Sequence, residues 1–104
     1  MTNNKIEKMN EEQVLLQIKK IENWNISDDY KLINKTFLFK NFKEAFTWMS
    51  YISLEAEIIN HHPDWKNVYN KVTVCLSTHD IDGLSEKDFI LANLMDKFFL
   101  KFRN

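Results

Sequence analysis

The sequence predicts a two-layer α+β domain, a four-stranded antiparallel sheet covered on one face by helices, in the order αββαββα. Three observations carry this. Apolar residues recur at three- and four-residue intervals in three separate stretches, the period of a helix that buries one side. Between those stretches lie two pairs of segments rich in β-branched and aromatic residues, each pair folding about turn formers. Finally, the 104 residues include one glycine and one proline, so little punctuation is left for long loops and the elements join tightly. A chain of this length is read as one domain, residues 1–104, since domains run to roughly 100–200 residues.

Asn10 with Gln13 three residues later, just ahead of Val14, Leu15 and Ile18, predicts a capped first helix ending near Ile21. Residues 24–27 and 31–39 then form a hairpin about Asp28 and Asp29, with Ile33, Phe37 and Phe39 sharing one face by period two. From Asn41 the period lengthens. Phe42, Ala45, Phe46, Met49, Ile52, Ser53, Ala56 and Ile59 mark the buried stripe of a long helix that Pro63 ends, leaving His61 and His62 in the last turn or just beyond it. Trp48, Tyr51 and Ile58 lie on a second apolar flank of that helix, of a size that meets another subunit or packs rather than binding a cofactor. Residues 65–69 and 72–78 form a second hairpin about Asn70 and Lys71, with Val72, Val74 and Leu76 on one face and Thr73, Cys75, Ser77 and His79 on the other. His79 closes the strand. Gly83 breaks the chain, Ser85 and Asp88 make a capping-box variant, and Leu91, Leu94, Met95, Phe98 and Phe102 stripe a final helix. Helices on a single sheet face leave the other face free for a ligand or partner.

Composition narrows the function. At 44% hydrophobic and 28% charged the chain buries a core rather than staying disordered. Its 14 basic and 15 acidic residues lack the basic excess that phosphate backbones demand, which argues against a direct nucleic-acid partner. Apolar runs of a few residues fall far short of the roughly 18 needed for a membrane span, and MTNNKIEKMN lacks the apolar centre of a secretory leader. A lone Cys75 forms no internal disulfide, in keeping with a reducing compartment, and the cytosol is the expected location.

The chemical signal is histidine. All three lie within residues 61–79, each at the end of an element, where side chains are both held and accessible. Carbonyls at a helix C-terminus favour an imidazolium there, and Glu57, one turn before His61, is placed to pair with it or to accept a ligand's donors. The same residues read equally well as caps and hydrogen-bonding groups, and spacing alone leaves both open. A metal site is disfavoured because neighbouring His61 and His62 diverge and no cysteine pair or HExxH helix completes a ligand set. Cys75, in mid-strand, reads as an inert face residue rather than a nucleophile. Trp65 and Tyr69 are weighed as stacking walls against a structural role, and Asp88 is read as a helix N-terminal stabiliser rather than an acid.

The segment EIINHHPDWKNVYNKVTVCLSTHDIDGLSEKDFILA closely resembles the pterin-4a-carbinolamine dehydratase family. The resemblance rests on the spacing of Glu57, His61, His62, Pro63, Tyr69, His79 and Asp88 and on the blocks WKNVYNKV, LSTH and GLSEKD. It runs back more weakly through FKNFKEAF to Trp24, so that it covers about two thirds of the chain. It implies the same sheet-and-helix fold. It also implies the dehydration of 4a-hydroxytetrahydropterin to quinonoid dihydropterin, the recycling step that follows aromatic amino acid hydroxylation. His61 and His79 would be the acid/base pair, with His62 completing the catalytic set as a substrate-binding residue. Further substrate contacts fall on Glu57, Asn60, Ser77, Thr78 and Asp80. No metal or other cofactor is implied, the pterin being the substrate.

Two positions depart from the family pattern: Asn60, where aspartate is frequent, and Ile81, where cysteine is frequent. Neither removes a proton-transfer group. The resemblance further implies a homodimer or homotetramer. It also brings two alternatives: a dimerisation partner and coactivator of a transcription factor, with a nuclear location, or a pterin-binding protein without catalysis.

Overall fold

The computed structural model describes residues 5–103; residues 1–4, which open the polar N-terminal stretch, and residue 104 lie outside the description. The elements follow the expected order: α1 (Glu11–Ile18), β1 (Asn25–Ile26), β2 (Ile33–Leu38), α2 (Phe42–Ile59), β3 (Asp64–Val68), β4 (Lys71–Leu76) and α3 (Glu86–Phe99). Short 3-10 turns occupy His79–Ile81 and Leu100–Phe102. All strand pairs are antiparallel, in the spatial order β1-β2-β4-β3. The two hairpins therefore join through β2 and β4, whose register runs from Ile33 opposite Leu76 to Leu38 opposite Lys71.

Alternation sorts the sheet as expected. Ile33 and Phe37 of β2 and Val72, Val74 and Leu76 of β4 are buried against the helices. Phe37 packs on Trp48 of α2 at 4.6 Å between ring centroids and on Phe99 of α3 at 5.1 Å. The opposite face carries polar cross-strand rows, Asn34 beside Cys75 and Asp64, and Thr36 beside Thr73 and Lys66. Trp24 Nε1 and Lys35 Nζ both donate to the Asp96 carboxylate, at 2.9 and 2.7 Å, and so pin α3 to the first hairpin.

The two capping signals are realised, and the long helix adds a third cap at Asn41. Asn10 and Gln13 form a reciprocal capping box, Asn41 accepts from Glu44 N, and Ser85 pairs with Asp88. Boundaries differ where side chains take over backbone work. The first helix stops at Ile18, and Asn23 turns the chain in a left-handed conformation, yet Ile21 remains buried. β1 shrinks to two residues because the Ser27 hydroxyl and Asp29 carboxylate capture the Lys31 and Leu32 amides. The second hairpin turns at Tyr69 and Asn70, one residue earlier than expected, since Val68 still pairs with Lys71. Tyr69 takes the left-handed conformation there, while Asn67 Nδ2 donates to the carbonyls of Tyr69 and Lys71. β4 ends at Leu76, and Thr78 bridges to Gly83, so His79 opens a 3-10 turn instead of ending a strand.

The largest correction concerns the long helix. Trp48, placed by the sequence on a second flank with Tyr51 and Ile58 and outside the buried stripe, is 0% exposed, and its Nε1 donates to the Met95 carbonyl at 3.1 Å. Ala45, Ile52 and Ala56 share the buried side with it, whereas Phe42 and Phe46, assigned to the buried stripe, are about half exposed and pack on each other at 5.6 Å. Ser53 also faces outward. The buried stripe is thus rotated towards Trp48, because the indole fills the space over Phe37, Phe39 and Trp65 that a phenylalanine at 46 does not reach. Tyr51 and Ile58 remain on the outer flank, joined by Leu54. No helix among the described residues is long and apolar enough to cross a membrane.

Candidate active site

The end of α2 sets the site. Asn60 caps the helix in the left-handed conformation, with φ 53° and ψ 48°, a state that asparagine tolerates better than most residues. Its amide bonds back to the Ala56 and Glu57 carbonyls, and His61 N follows to Ala56 O at 3.0 Å. This reversal sends the two histidines apart: His61 is buried at 9% exposure and His62 is exposed.

His61 Nε2 lies 2.6 Å from Asp88 Oδ1. Asp88 is wholly buried, and its Oδ2 accepts from Thr78 Oγ1 at 2.7 Å and from Ser85 N at 3.0 Å. Thr78 Oγ1 also pairs with the Ser85 hydroxyl at 2.7 Å. A carboxylate that only accepts puts the His61 proton on Nε2, so Nδ1 is the nitrogen left for chemistry. Glu57 does not pair with His61 as expected. The left-handed turn at Asn60 carries His61 off the helical position, and Glu57 Oε1 instead meets His62 Nε2 at 3.3 Å, an exposed pair.

His79 stands at the head of the 3-10 turn, exposed, in a loop closed by Thr78 N donating to Gly83 O at 2.7 Å and Asp82 N donating to His79 O at 3.1 Å. Lys31 reaches from the first hairpin to Asp82 at 2.7 Å, and its hydrogen bond and charge hold the Asp82 carboxyl below the usual carboxylate range. Together these elements shape a cleft of about 260 Å³ lined by Asn60, His61, His62, Ser77, Thr78, His79 and Asp80, with Ile6 and Lys87 at its border. Seven of the eight residues the sequence pointed to therefore converge, and Glu57 reaches the cleft only through His62. Thr78 turns its hydroxyl inward, to the Asp88 network. Trp65 and Tyr69 do not line the cleft: Trp65 packs beside Trp48 at 6.1 Å, and Tyr69 is exposed in its turn. Among the described residues, no group of three His, Cys, Asp or Glu side chains is arranged to hold a metal ion.

Three lining or supporting roles were missed. Asp88 both caps α3 and anchors His61, and the first role hid the second. A signal did exist, since Asp88 falls on the stripe of Leu91, Ala92 and Met95, where a buried carboxylate must find donors. Ile6 belongs to an N-terminal strap without periodicity, and Lys87, inside the block GLSEKD, carries no separate signal.

Cys75 is half-buried on the polar sheet face opposite Asp64, and burial, reinforced by the Asp64 carboxylate, pushes its thiol above the ordinary range. The folded chain should therefore react with a disulfide reagent at pH 7.5 about tenfold more slowly than the chain unfolded in guanidinium. Equal rates would contradict this placement.

A model of the pterin 4 alpha carbinolamine dehydratase family matches residues 7–98. The chain belongs to that family. Among its relatives, a protein of Rhizobium meliloti named "putative pterin-4-alpha-carbinolamine dehydratase" is 52% identical over 91 residues, covering 88% of each chain. One of the same name from Sinorhizobium fredii is 50% identical over 91 residues, covering 88% of this chain and 87% of the relative. A crystal structure described as a transcriptional coactivator/pterin dehydratase from Brucella melitensis superposes with a TM-score of 0.84 at 34% identity, covering 88% of this chain and 97% of that one. The family's two-hairpin fold is thus the fold of this chain. Against the pterin-4a-carbinolamine dehydratase pattern, Asn60 has a clear structural occupation as the left-handed cap, and Ile81 is half-buried in the His79 turn.

Proposed function

We propose that this family member is a 4a-hydroxytetrahydropterin dehydratase, releasing water and quinonoid dihydropterin to recycle the tetrahydropterin used by aromatic amino acid hydroxylases. The observation that carries the reading is the buried 2.6 Å pair of His61 and Asp88 lining the same cleft as His79. Dehydration breaks the C4a–O bond and removes the N5 proton. His61, with Nε2–H held by Asp88, presents Nδ1 to take the N5 proton, and the carboxylate stabilises the imidazolium that results. The N5 lone pair closes the C4a=N5 bond, and His79 delivers a proton to the departing hydroxyl, which leaves as water. Atoms and charge balance with two imidazoles, so the step as written calls on no further cofactor. His62 and Glu57 stand where the donors and acceptors of the aminopyrimidinone end can be met, with Asn60, Ser77 and Asp80 around them.

The test generates 4a-hydroxytetrahydropterin in situ and follows quinonoid dihydropterin by absorbance, with the wild-type chain and with His79→Ala. The wild type is expected to exceed the spontaneous reaction and the variant to lose most of the gain. A wild-type chain that binds pterin without accelerating the reaction would leave the non-catalytic binding role.

An exposed apolar flank supports a second role, assembly. Leu54 and Ile58 are 64% and 74% exposed on the outer side of α2, with Phe46 at 54%. Side chains of this size in one stripe favour a homo-oligomer joined through α2. The Brucella melitensis protein's description as a coactivator makes a transcription-factor partner the alternative occupant. Leu54→Glu with Ile58→Glu should reduce the mass measured by light scattering to that of a monomer, with the far-UV spectrum retained. An unchanged mass would remove this flank from the assembly.

A further inference from the structure

On the side of the N-terminal strap the histidine cleft is bordered by Ile6 and Lys87. The same two residues line a second cavity of about 600 Å³, which runs between the strap and the start of α3. The strap is fixed in place: Met9 N donates to Leu84 O at 2.8 Å, and the Lys8 side chain lies against Gly83, where a Cβ would meet it at 2.7 Å. Three ammonium groups, Lys5, Lys8 and Lys87, face two carboxylates, Glu7 and Glu86, around the second cavity, and Asp80 lies on the cleft side. Lys87 is half-buried, and no carboxylate or carbonyl among the described residues pairs with it. A lysine that covers a cleft border with its stem and meets no anion of its own chain keeps its charge available to an anionic ligand.

The chemistry of the substrate says what would complete it. C4a, N5 and C6 are consecutive atoms of the pterin, and proton transfer at C4a and N5 holds them against His61 and His79. A substituent on C6 therefore leaves the ring beside the histidines, and Ile6 and Lys87 border the adjoining space. Resting on the pterin reading above, we infer that the second cavity is a subsite for the C6 substituent and that Lys87 selects substituents bearing an anionic group, a carboxylate or a phosphate.

Fluorescence titrations with three stable oxidised pterins test this: 6-methylpterin, 6-carboxypterin and the phosphate ester of 6-hydroxymethylpterin. The anionic ligands are expected to bind the wild-type chain about tenfold more tightly than 6-methylpterin, as a charge-assisted hydrogen bond to the Lys87 ammonium would give. The advantage should vanish in Lys87→Gln and survive in Lys87→Arg, which separates charge from fold. A gain for the phosphate alone assigns the subsite to phosphate esters, and a gain for both assigns it to either anion. Equal affinity for 6-methylpterin and both anions, or an advantage that persists in Lys87→Gln, overturns the inference. If no pterin binds at all, the dehydratase reading itself falls.

Discussion

With His61 replaced by alanine, dehydration should slow by about 10²- to 10⁴-fold, the range a positioned acid/base group supplies. Asp88→Asn should approach the lower end of that loss although it does not touch the substrate. The Asp88 carboxylate receives three donors, His61 Nε2, Thr78 Oγ1 and Ser85 N. An amide offers one acceptor oxygen and brings two donors of its own. Turned to satisfy Ser85 N, it points its NH₂ at His61, which favours the tautomer with the proton on Nδ1 and so removes the base. Turned to satisfy His61, it leaves a buried backbone N–H unpaired, at about 1–3 kcal/mol. The effect should fall on kcat more than on KM, because orientation of the imidazole matters most in the transition state. Trp48→Phe, remote from the cleft, serves as the control for loss of stability alone. A His61→Ala chain within about threefold of wild-type kcat would place the proton transfer on His62 or His79 instead.

What could be read from the sequence was local. Caps at Asn10 and Ser85 and the alternation in β2 and β4 are decided within a few residues, and these stand as expected. The ends of elements slipped where a side chain displaced a backbone partner, as Ser27 and Asp29 do in shortening β1. Pairing of β2 with β4 was hidden because hairpin signals say nothing about which hairpins adjoin. In the site, the histidines and the residues around them were visible through position at element ends and through resemblance. The anchor of His61 was not, since Asp88 lies 27 residues away and its capping role already accounted for it. Ile6 and Lys87 border the cleft only because the strap folds over the start of α3, a contact that no period or motif encodes.

Trp48→Ala is the corresponding test of the fold, and it should cost about 3–5 kcal/mol, a large part of the roughly 5–15 kcal/mol available to a domain. Two stripes of α2 satisfy helical spacing, one through Phe42 and Phe46 and one through Trp48, and periodicity cannot choose between them. The sheet chooses. Phe37 and Phe39 present a broad aromatic floor, and the indole at 48 packs on both at 4.6 and 5.3 Å while its N–H reaches Met95 O. Removing it leaves a cavity over that floor and a carbonyl without its donor. The urea midpoint should fall with the slope unchanged, since the surface exposed on unfolding is nearly the same. Phe46→Ala, on the outer side, should cost less than about 1 kcal/mol in the monomer, because its ring gives up little buried area. Had Trp48 been the exposed flank, the order would reverse: Trp48→Ala would alter assembly with the midpoint intact, and Phe46→Ala would unfold the domain.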